Sequence, residues 1–431
     1  MKKRKSMFKL IRQFANAVGV AISPILRRFP GVMAFLNRLN YQLTRLTTMK
    51  ISNEVLEGLR AAKHWEGDFG INVAGYLTSE SGVGEAARAN VRALETLYIP
   101  YSLNNLKSSS RQEDGTYRHF VRDNPYRFNL IQVNADQVPP FLDKEGSDFF
   151  KRKYNIGFWY WELSRFPEEW LYSFQIFNEI WVASSFCQES ISRISPVPVI
   201  KIPPSVVVNN IKKVERSYFD LKKDSFIFLF AFDFSSVFER KNPLAVIKAF
   251  KTAFDPSEDV CLVLKCSNST RNKGLFGKIM ESAKGLNIKL IYEYLQKDEI
   301  YALMNLSDCY VSLHRSEGFG FPIAEAMYLK KPVIATGYSA NMDFMSEENS
   351  FPVKFRLIEI ENTQGPYKKG YIWADPDIDH AAEIMRSVYT NRDIAKRKGE
   401  KASDDIKANF SPLATGQQIK KRLETIQGSR P

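Results

Sequence analysis

Short apolar runs alternate with helical patterns along most of the chain. Residues 71–77 (INVAGYL) read as a strand, and residues 84–97 follow with Ala87, Val91 and Leu94 on one helical face. The strand pattern recurs at 128–134, 153–161 and 179–184, and a proline-rich run at 196–206 closes the series. Residues 208–225 are polar and charged, the composition of a linker. The alternation then restarts at 226–234 (FIFLFAFDF), 260–266, 289–294, 309–314 and 332–337. Apolar strands spaced by helices predict parallel sheets covered on both faces. Two such series predict two doubly wound α/β domains, at 70–207 and 226–405, facing a cleft. A last helical pattern at 410–428 is expected to return to the first domain. Sheets of this kind bind ligands beyond the C-terminal ends of their strands.

Residues 1–50 depart from this pattern. They hold 11 of the chain's 61 Lys and Arg and no Asp or Glu, so the net charge of +13 belongs mostly to this arm. Met7, Phe8, Ile11, Phe14 and Val18 recur at helical spacing between the charges. The longest uncharged run, residues 13–26, falls short of the roughly 20 residues that span a bilayer. Lys9 and Arg12 interrupt the apolar region a signal peptide needs. The arm reads as a basic amphipathic helix that either lies on an anionic membrane surface or packs on the body. Nucleic acid is not an expected partner, because no aromatic-plus-basic pattern continues into the body. The expected location is the cytoplasm, or the inner membrane face as a peripheral protein. The four cysteines form no C-x-x-C pair and read as buried, reduced thiols. Cys261 and Cys266 fall on opposite faces of one strand. The four histidines show no metal-binding spacing.

Three segments carry candidate chemistry. In LHRSEGFGFPIAEAM (313–327) a strand runs into a glycine turn and a helix opened by Pro322. Phe321 precedes that proline and offers no side-chain oxygen as a cap, so the first N–H groups are free for a phosphate. Gly318 and Gly320 allow close backbone approach. Glu325, one turn in, can accept hydrogen bonds from two neighbouring hydroxyls, as on a ribose, and Glu317 can meet another part of the same ligand. In FDFSSVFERKNPL (232–244), Asn242 and Pro243 read as N-cap and first helical position. That leaves Arg240 and Lys241 in a loop at a strand end, placed to neutralise a diphosphate or simply solvated. In GYLTSESGVGEAAR (75–88), Gly82-x-Gly84-x-x-Ala87 resembles a dinucleotide fingerprint. The following 98–107 lacks the acidic residue that would hold a nicotinamide cofactor's ribose. A phosphate or sugar against Gly82 and Gly84 remains open.

Two further segments are ambiguous. WADPDID (373–379) contains D-x-D twice but runs straight into a helical pattern, so capping explains it better than a metal. In GFWYWELSRFPEEW (157–170), Trp161 and Glu162 either contact a sugar or line the domain interface.

HRSEGFGFPIAEAMYLKKPVIATG resembles the signature of the group 1 glycosyltransferases, glycosyltransferase family 4: two glutamates separated by seven residues, then EAM and PVIAT. The resemblance extends over about 70–428 and is most specific at 309–345. FWYWE, RKNP, NMDFM and WADPD are similar to a subgroup met in bacterial polysaccharide gene clusters. The resemblance implies a GT-B fold, two Rossmann-like domains, and a nucleotide-sugar donor such as a UDP- or GDP-sugar. It implies transfer of a hexose-type sugar with retention to a saccharide or lipid-linked acceptor, and no metal or other cofactor. It places Glu325 on the ribose, Glu317 on the donor sugar, Lys241 on the diphosphate, Phe319 and Gly320 along the sugar and phosphates, and Gly84 near the phosphates. Arg240 joins Lys241, and His314 joins Trp161 and Glu162 as possible sugar or acceptor contacts. The family's glycine-arginine pair before the lysine is absent; DFSS (233–236) stands there. An epimerase or phosphorylase of the same fold, or a non-catalytic nucleotide-sugar-binding protein, are the alternatives.

Overall fold

The structure, a computed structural model, describes residues 65–107 and 114–428. The basic arm at 1–50 lies outside the described residues. Six parallel strands form the first sheet: β1 (Asp68–Gly75), β2 (Tyr101–Asn105), β3 (Tyr126–Gln132), β4 (Tyr154–Trp159), β5 (Glu179–Val182) and β6 (Val199–Lys201), in the order β2-β1-β3-β4-β5-β6. A row of buried amides ties its register. Asn72, Asn129 and Asn155 stand opposite one another on β1, β3 and β4. Asn72 Nδ2 donates to Asn129 Oδ1 at 2.9 Å, and Asn129 Nδ2 to Asn155 Oδ1 at 2.9 Å. A slip of one residue would leave these amides unpaired in the core.

The second sheet is also parallel: β7 (Phe226–Asp233), β8 (Val260–Ser267), β9 (Ile288–Ile291), β10 (Cys309–Ser312), β11 (Val333–Thr336) and β12 (Phe351–Val353), in the order β12-β11-β10-β7-β8-β9. Strand β7 is apolar on both faces because both are covered. Phe226, Phe228, Phe230 and Phe232 enter one core cluster, and Ile227 and Leu229 the other. The same alternation parts Cys261 from Cys266 on β8, and both are free thiols. Strand order reverses between β7 and β10, and in the first sheet between β1 and β3. Loops leaving those strands diverge and open a crevice.

Five strands were not read from the sequence: β12, the antiparallel pair β13 (Phe355–Glu359) and β14 (Ile372–Pro376), and in the first sheet β2 and β6. The first is three residues long and contains Pro352, and β13 is mostly exposed, so neither carries a core periodicity. The WADPDID segment therefore divides. Asp377 caps the Ile378–Thr390 helix, accepting from His380 N at 3.0 Å, while Asp375 lies on β14 and pairs with Arg315 at 3.1 Å. Within 208–225 a short 3-10 turn, Arg216–Phe219, fastens to the second domain. Arg216 Nη2 lies 2.9 Å from both Leu306 O and Asp308 Oδ2.

The Pro412–Gly428 helix packs on the Gly82–Thr96 helix. A Cβ at Gly416 would lie 2.5 Å from Ala93 O, so only glycine permits this approach. Arg422 of the same helix pairs with the fully buried Glu179, which also accepts from Tyr154 Oη at 3.0 Å and Trp181 Nε1 at 2.6 Å. Across the cleft, Tyr294 Oη donates to Glu80 at 2.8 Å, Lys297 pairs with Glu85 at 2.5 Å, and Ser185 N donates to Asp343 at 2.8 Å. No helix among the described residues is long and apolar enough to cross a membrane.

Candidate active site

The ends of β7 and β10, adjacent at the strand-order reversal, gather the main charged groups. Arg240 and Lys241 do not lie in an open loop. Residues Phe238–Lys241 wind into one helical turn, and Asn242 takes a left-handed φ of 55°. Asn242 precedes the Pro243–Ala253 helix as expected, but its side chain does not cap it; Nδ2 donates to Leu313 O at 3.0 Å instead. Arg315 N donates to Arg240 O at 2.8 Å. These bonds clamp the two loops together and set three side chains in contact. Lys241 Nζ donates to Glu317 Oε1, and Arg240 Nη1 lies 3.1 Å from Glu317 Oε2. Arg240 also donates to Ser316 O at 2.8 Å, stands 4.0 Å from Glu162, and has the Tyr367 ring at 5.9 Å.

Electrostatics follow from this packing. Burial pushes the Glu317 carboxyl upward, but Lys241 and Arg240 outweigh it and hold the group down at about 2. Glu317 is therefore ionised at neutral pH and a weak base. Burial draws Lys241 below the ordinary lysine range; Glu317 opposes this and Arg240 adds to it.

The Phe321–Tyr328 helix begins beside this cluster. Its N-cap is Gly320, at a left-handed φ of 94°, rather than the expected Phe321, which becomes its first residue. No side chain caps the helix. Phe319 is buried against Phe344 and Phe410 and anchors the turn. Gly318 O accepts from Ser184 Oγ of the first domain at 3.1 Å. Glu325, half-buried in the next turn, accepts from Tyr301 Oη at 3.0 Å. Burial raises its carboxyl to about 7; Lys297 pulls it down and Glu85 pushes it further up.

These groups line a cleft of about 710 Å³ between the two domains, together with Gly82, Tyr160, Glu162 and Lys297. That volume falls within the range of small-molecule sites. Gly82 and Gly84 lie in the first turn of the Gly82–Thr96 helix, not in a loop before it. Only Gly82 faces open space. Gly84 is buried, and its N–H is taken by the cap oxygen of Ser81 at 3.2 Å. It is a packing residue rather than a phosphate contact: an added Cβ would lie 2.1 Å from Ser79 O. Gly84→Ala is expected to destabilise the protein by about 1–3 kcal/mol through backbone displacement, whereas Gly82→Ala leaves the thermal midpoint in place. Equal midpoints for the two variants would refute this assignment.

The structure also separates the remaining sequence candidates. Glu162 lines the cleft, but Trp161 does not. It is 2% exposed, donates from Nε1 to Arg165 O at 2.8 Å, and packs edge-on against Phe166 and Trp170. The aromatic density at 157–170 is thus largely an internal cluster. His314 is also fully buried off the cleft, between Ser312 Oγ at 3.1 Å and Asn341 Oδ1 at 3.0 Å; burial lowers its pKa. Tyr160, Lys297 and Tyr301 line the cleft without having been singled out. Tyr160 lay inside the aromatic segment; Lys297 and Tyr301 had no motif around them. Among the described residues no group of three or more His, Cys, Asp or Glu side chains is placed to hold a metal ion.

Comparison with known proteins agrees with this architecture. The family described as Glycosyl transferases group 1 matches residues 212–405. No curated protein matches the chain. Among solved structures the chain is similar to Anabaena Alr3699/HepE, crystallised with UDP and glucose: TM-score 0.59 at 14% identity, covering 83% of this chain and 100% of that one. It is similar to a glycosyltransferase from Rickettsia africae ESF-5, with TM-score 0.61 at 14% identity over 84% of this chain and 100% of that one. Sucrose-phosphate synthase from Thermosynechococcus elongatus gives TM-score 0.61 at 13% identity, again over 84% and 100%. At such identities the likeness is one of fold, two Rossmann-like domains in the GT-B arrangement.

Proposed function

We propose that this chain, a glycosyltransferase through the group 1 domain at residues 212–405, is a retaining hexosyltransferase that uses a nucleotide-sugar donor and no metal. The acceptor is a saccharide or a lipid-linked saccharide, in polysaccharide or glycolipid biosynthesis. One observation carries the reading: Lys241 and Arg240 meet Glu317 at the strand-order reversal, beside an uncapped helix start with Glu325 in its next turn. Cations and helix N–H groups are the equipment for a departing diphosphate, and a carboxylate nearby suits ribose hydroxyls.

In the proposed reaction the bond between the sugar's anomeric carbon and the diphosphate oxygen breaks, and its electron pair goes to the phosphate. Lys241, Arg240 and the helix start stabilise that charge. The acceptor oxygen attacks from the leaving-group face, and its proton passes to the departing phosphate oxygen. Glu317 is a poor base here, because both its oxygens already face cations and its pKa is near 2. Its place is against the donor sugar's hydroxyls. The solved Anabaena relative that holds UDP-glucose supports the donor class. Residues 1–50, with 11 basic and no acidic residues, would bring the enzyme to an anionic membrane surface on its cytoplasmic side.

The test is nucleotide release from UDP- and GDP-hexoses in EDTA, with and without acceptor glycosides, with the product's anomeric configuration read by NMR. Acceptor-dependent release, with the donor's configuration kept, is expected. Free sugar or an altered nucleotide sugar without acceptor would instead indicate an epimerase, and a need for inorganic phosphate a phosphorylase.

A further inference from the structure

One charged group on the cleft floor has no part in the mechanism above. Lys265 stands near the C-terminal end of β8, between Ala231 on β7 and Ile291 on β9. It lines the cleft yet is only 3% exposed. Every residue before it on β8 is apolar or cysteine, as a strand covered on both faces requires. A lysine there is costly unless its ammonium is satisfied. Nζ donates to Ser267 Oγ at 3.2 Å and to Glu293 O at 3.1 Å. An ammonium has three hydrogens, and no carboxylate among the described residues pairs with this one. One donor therefore remains for whatever fills the cleft.

We propose that Lys265 reads the nucleobase of the donor, favouring a base that presents a carbonyl oxygen, such as uracil or guanine, over adenine. This rests on the donor-site reading given above. If the diphosphate lies at the β7–β10 junction and the ribose at Glu325, the ligand runs toward β8 and β9. Tyr301, which holds Glu325, belongs to the Lys297–Leu306 helix that follows β9. The base then falls over the β8 and β9 ends, where Ala231 leaves room beside Lys265. An ammonium donates to a carbonyl oxygen, as on guanine O6 or a pyrimidine O4. Adenine puts an amine, itself a donor, at its 6-position. Burial lowers the lysine's pKa, the effect of keeping its ammonium from bulk water.

The experiment is calorimetric titration of the full chain in EDTA with UDP, GDP, ADP and inorganic pyrophosphate. Wild type, Lys265→Met, Lys265→Gln and Glu325→Ala are compared, and folding is checked by thermal midpoint. Wild type is expected to bind UDP or GDP at least tenfold more tightly than ADP. Lys265→Met should weaken the preferred nucleotide by about 10- to 100-fold, the worth of a hydrogen bond to a charged donor. It should also narrow the gap to ADP and leave pyrophosphate unchanged. Lys265→Gln, which keeps a donor, should retain part of the preference and serves alone if the methionine variant does not fold. A wild-type preference for ADP, an unchanged preference in both Lys265 variants, or equal weakening of all four ligands would overturn the proposal. If Glu325→Ala loses nucleotide binding while the Lys265 variants keep the wild-type preference, this inference alone fails. If Glu325→Ala binds like wild type, or nothing binds wild type, the donor-site reading fails and takes this one with it.

Discussion

Lys241→Ala is expected to lower turnover by about 100- to 1000-fold, or roughly 2.7–4 kcal/mol of transition-state stabilisation, while the protein remains folded. The size follows from the position. The ammonium is shielded from bulk water beside Arg240 at the end of β7, where a full charge acts far more strongly than on the surface. The diphosphate gains negative charge as the sugar leaves, so the loss should appear in kcat rather than in nucleotide affinity alone. Folding should survive because Glu317 is not orphaned: Arg240 Nη1 remains 3.1 Å from its second oxygen. The measurements are nucleotide release from the preferred donor at saturation and the thermal midpoint of each variant. Lys241→Arg should recover part of the rate, since it restores charge but not the point geometry of an ammonium. Wild-type kcat in folded Lys241→Ala would remove the residue from the mechanism.

The sequence carried the parts of this site that depend on spacing along one segment. Glycine, proline and the two glutamates of 313–327 fix a strand end, a turn and a helix start, and these stand where the pattern predicted. It also carried most strands of both sheets, because a strand such as β7, apolar up to its terminal Asp233, is covered on both faces. Relations between segments were not legible. Nothing local links Lys241 to Glu317, or Asn242 to the carbonyl of Leu313; those contacts exist because β7 and β10 are neighbours in space but 76 and 71 residues separate the partners. Small side-chain choices misled for the same reason. Gly84 looked like a phosphate glycine, yet its missing Cβ makes room for Ser79 O, an atom five residues away folded back beneath the helix. For Trp161 the sequence left a sugar contact and a place at the domain interface both open, yet alternate residues of an extended segment face opposite ways, so Tyr160 and Glu162 reach the cleft while Trp161 packs inward. Exposed strands such as β13 left no trace because neither of their faces packs on a core to impose an alternation.

Donor binding should weaken as pH falls below about 7, and Glu325 should be the cause. The unliganded carboxyl has its pKa raised to about 7, mainly by burial and further by Glu85. The ionised carboxylate accepts from two ribose hydroxyls on charged oxygens, whereas protonation turns one of those oxygens into a donor, so tight binding expels the proton. Above pH 7 the group is already ionised and affinity should be flat. Below it, each pH unit should raise the apparent Kd about tenfold, the limit for a single proton expelled by the ligand. The same event should make the binding enthalpy depend on the buffer at pH 6 and not at pH 8. A nucleoside diphosphate also titrates near pH 6 at its terminal phosphate, so wild type must be compared with Glu325→Gln. That variant keeps the shape and removes the ionisation. It should bind about 10- to 100-fold more weakly at pH 8, as expected for losing a charge-assisted hydrogen bond. Its remaining pH dependence should be that of the phosphate alone. A nucleotide sugar, which lacks the terminal phosphate ionisation, should show the Glu325 slope alone with wild type and no slope with Glu325→Gln. Identical slopes in the two proteins would mean that Glu325 does not meet the ribose, and the orientation of the donor in the cleft would have to be reversed or abandoned.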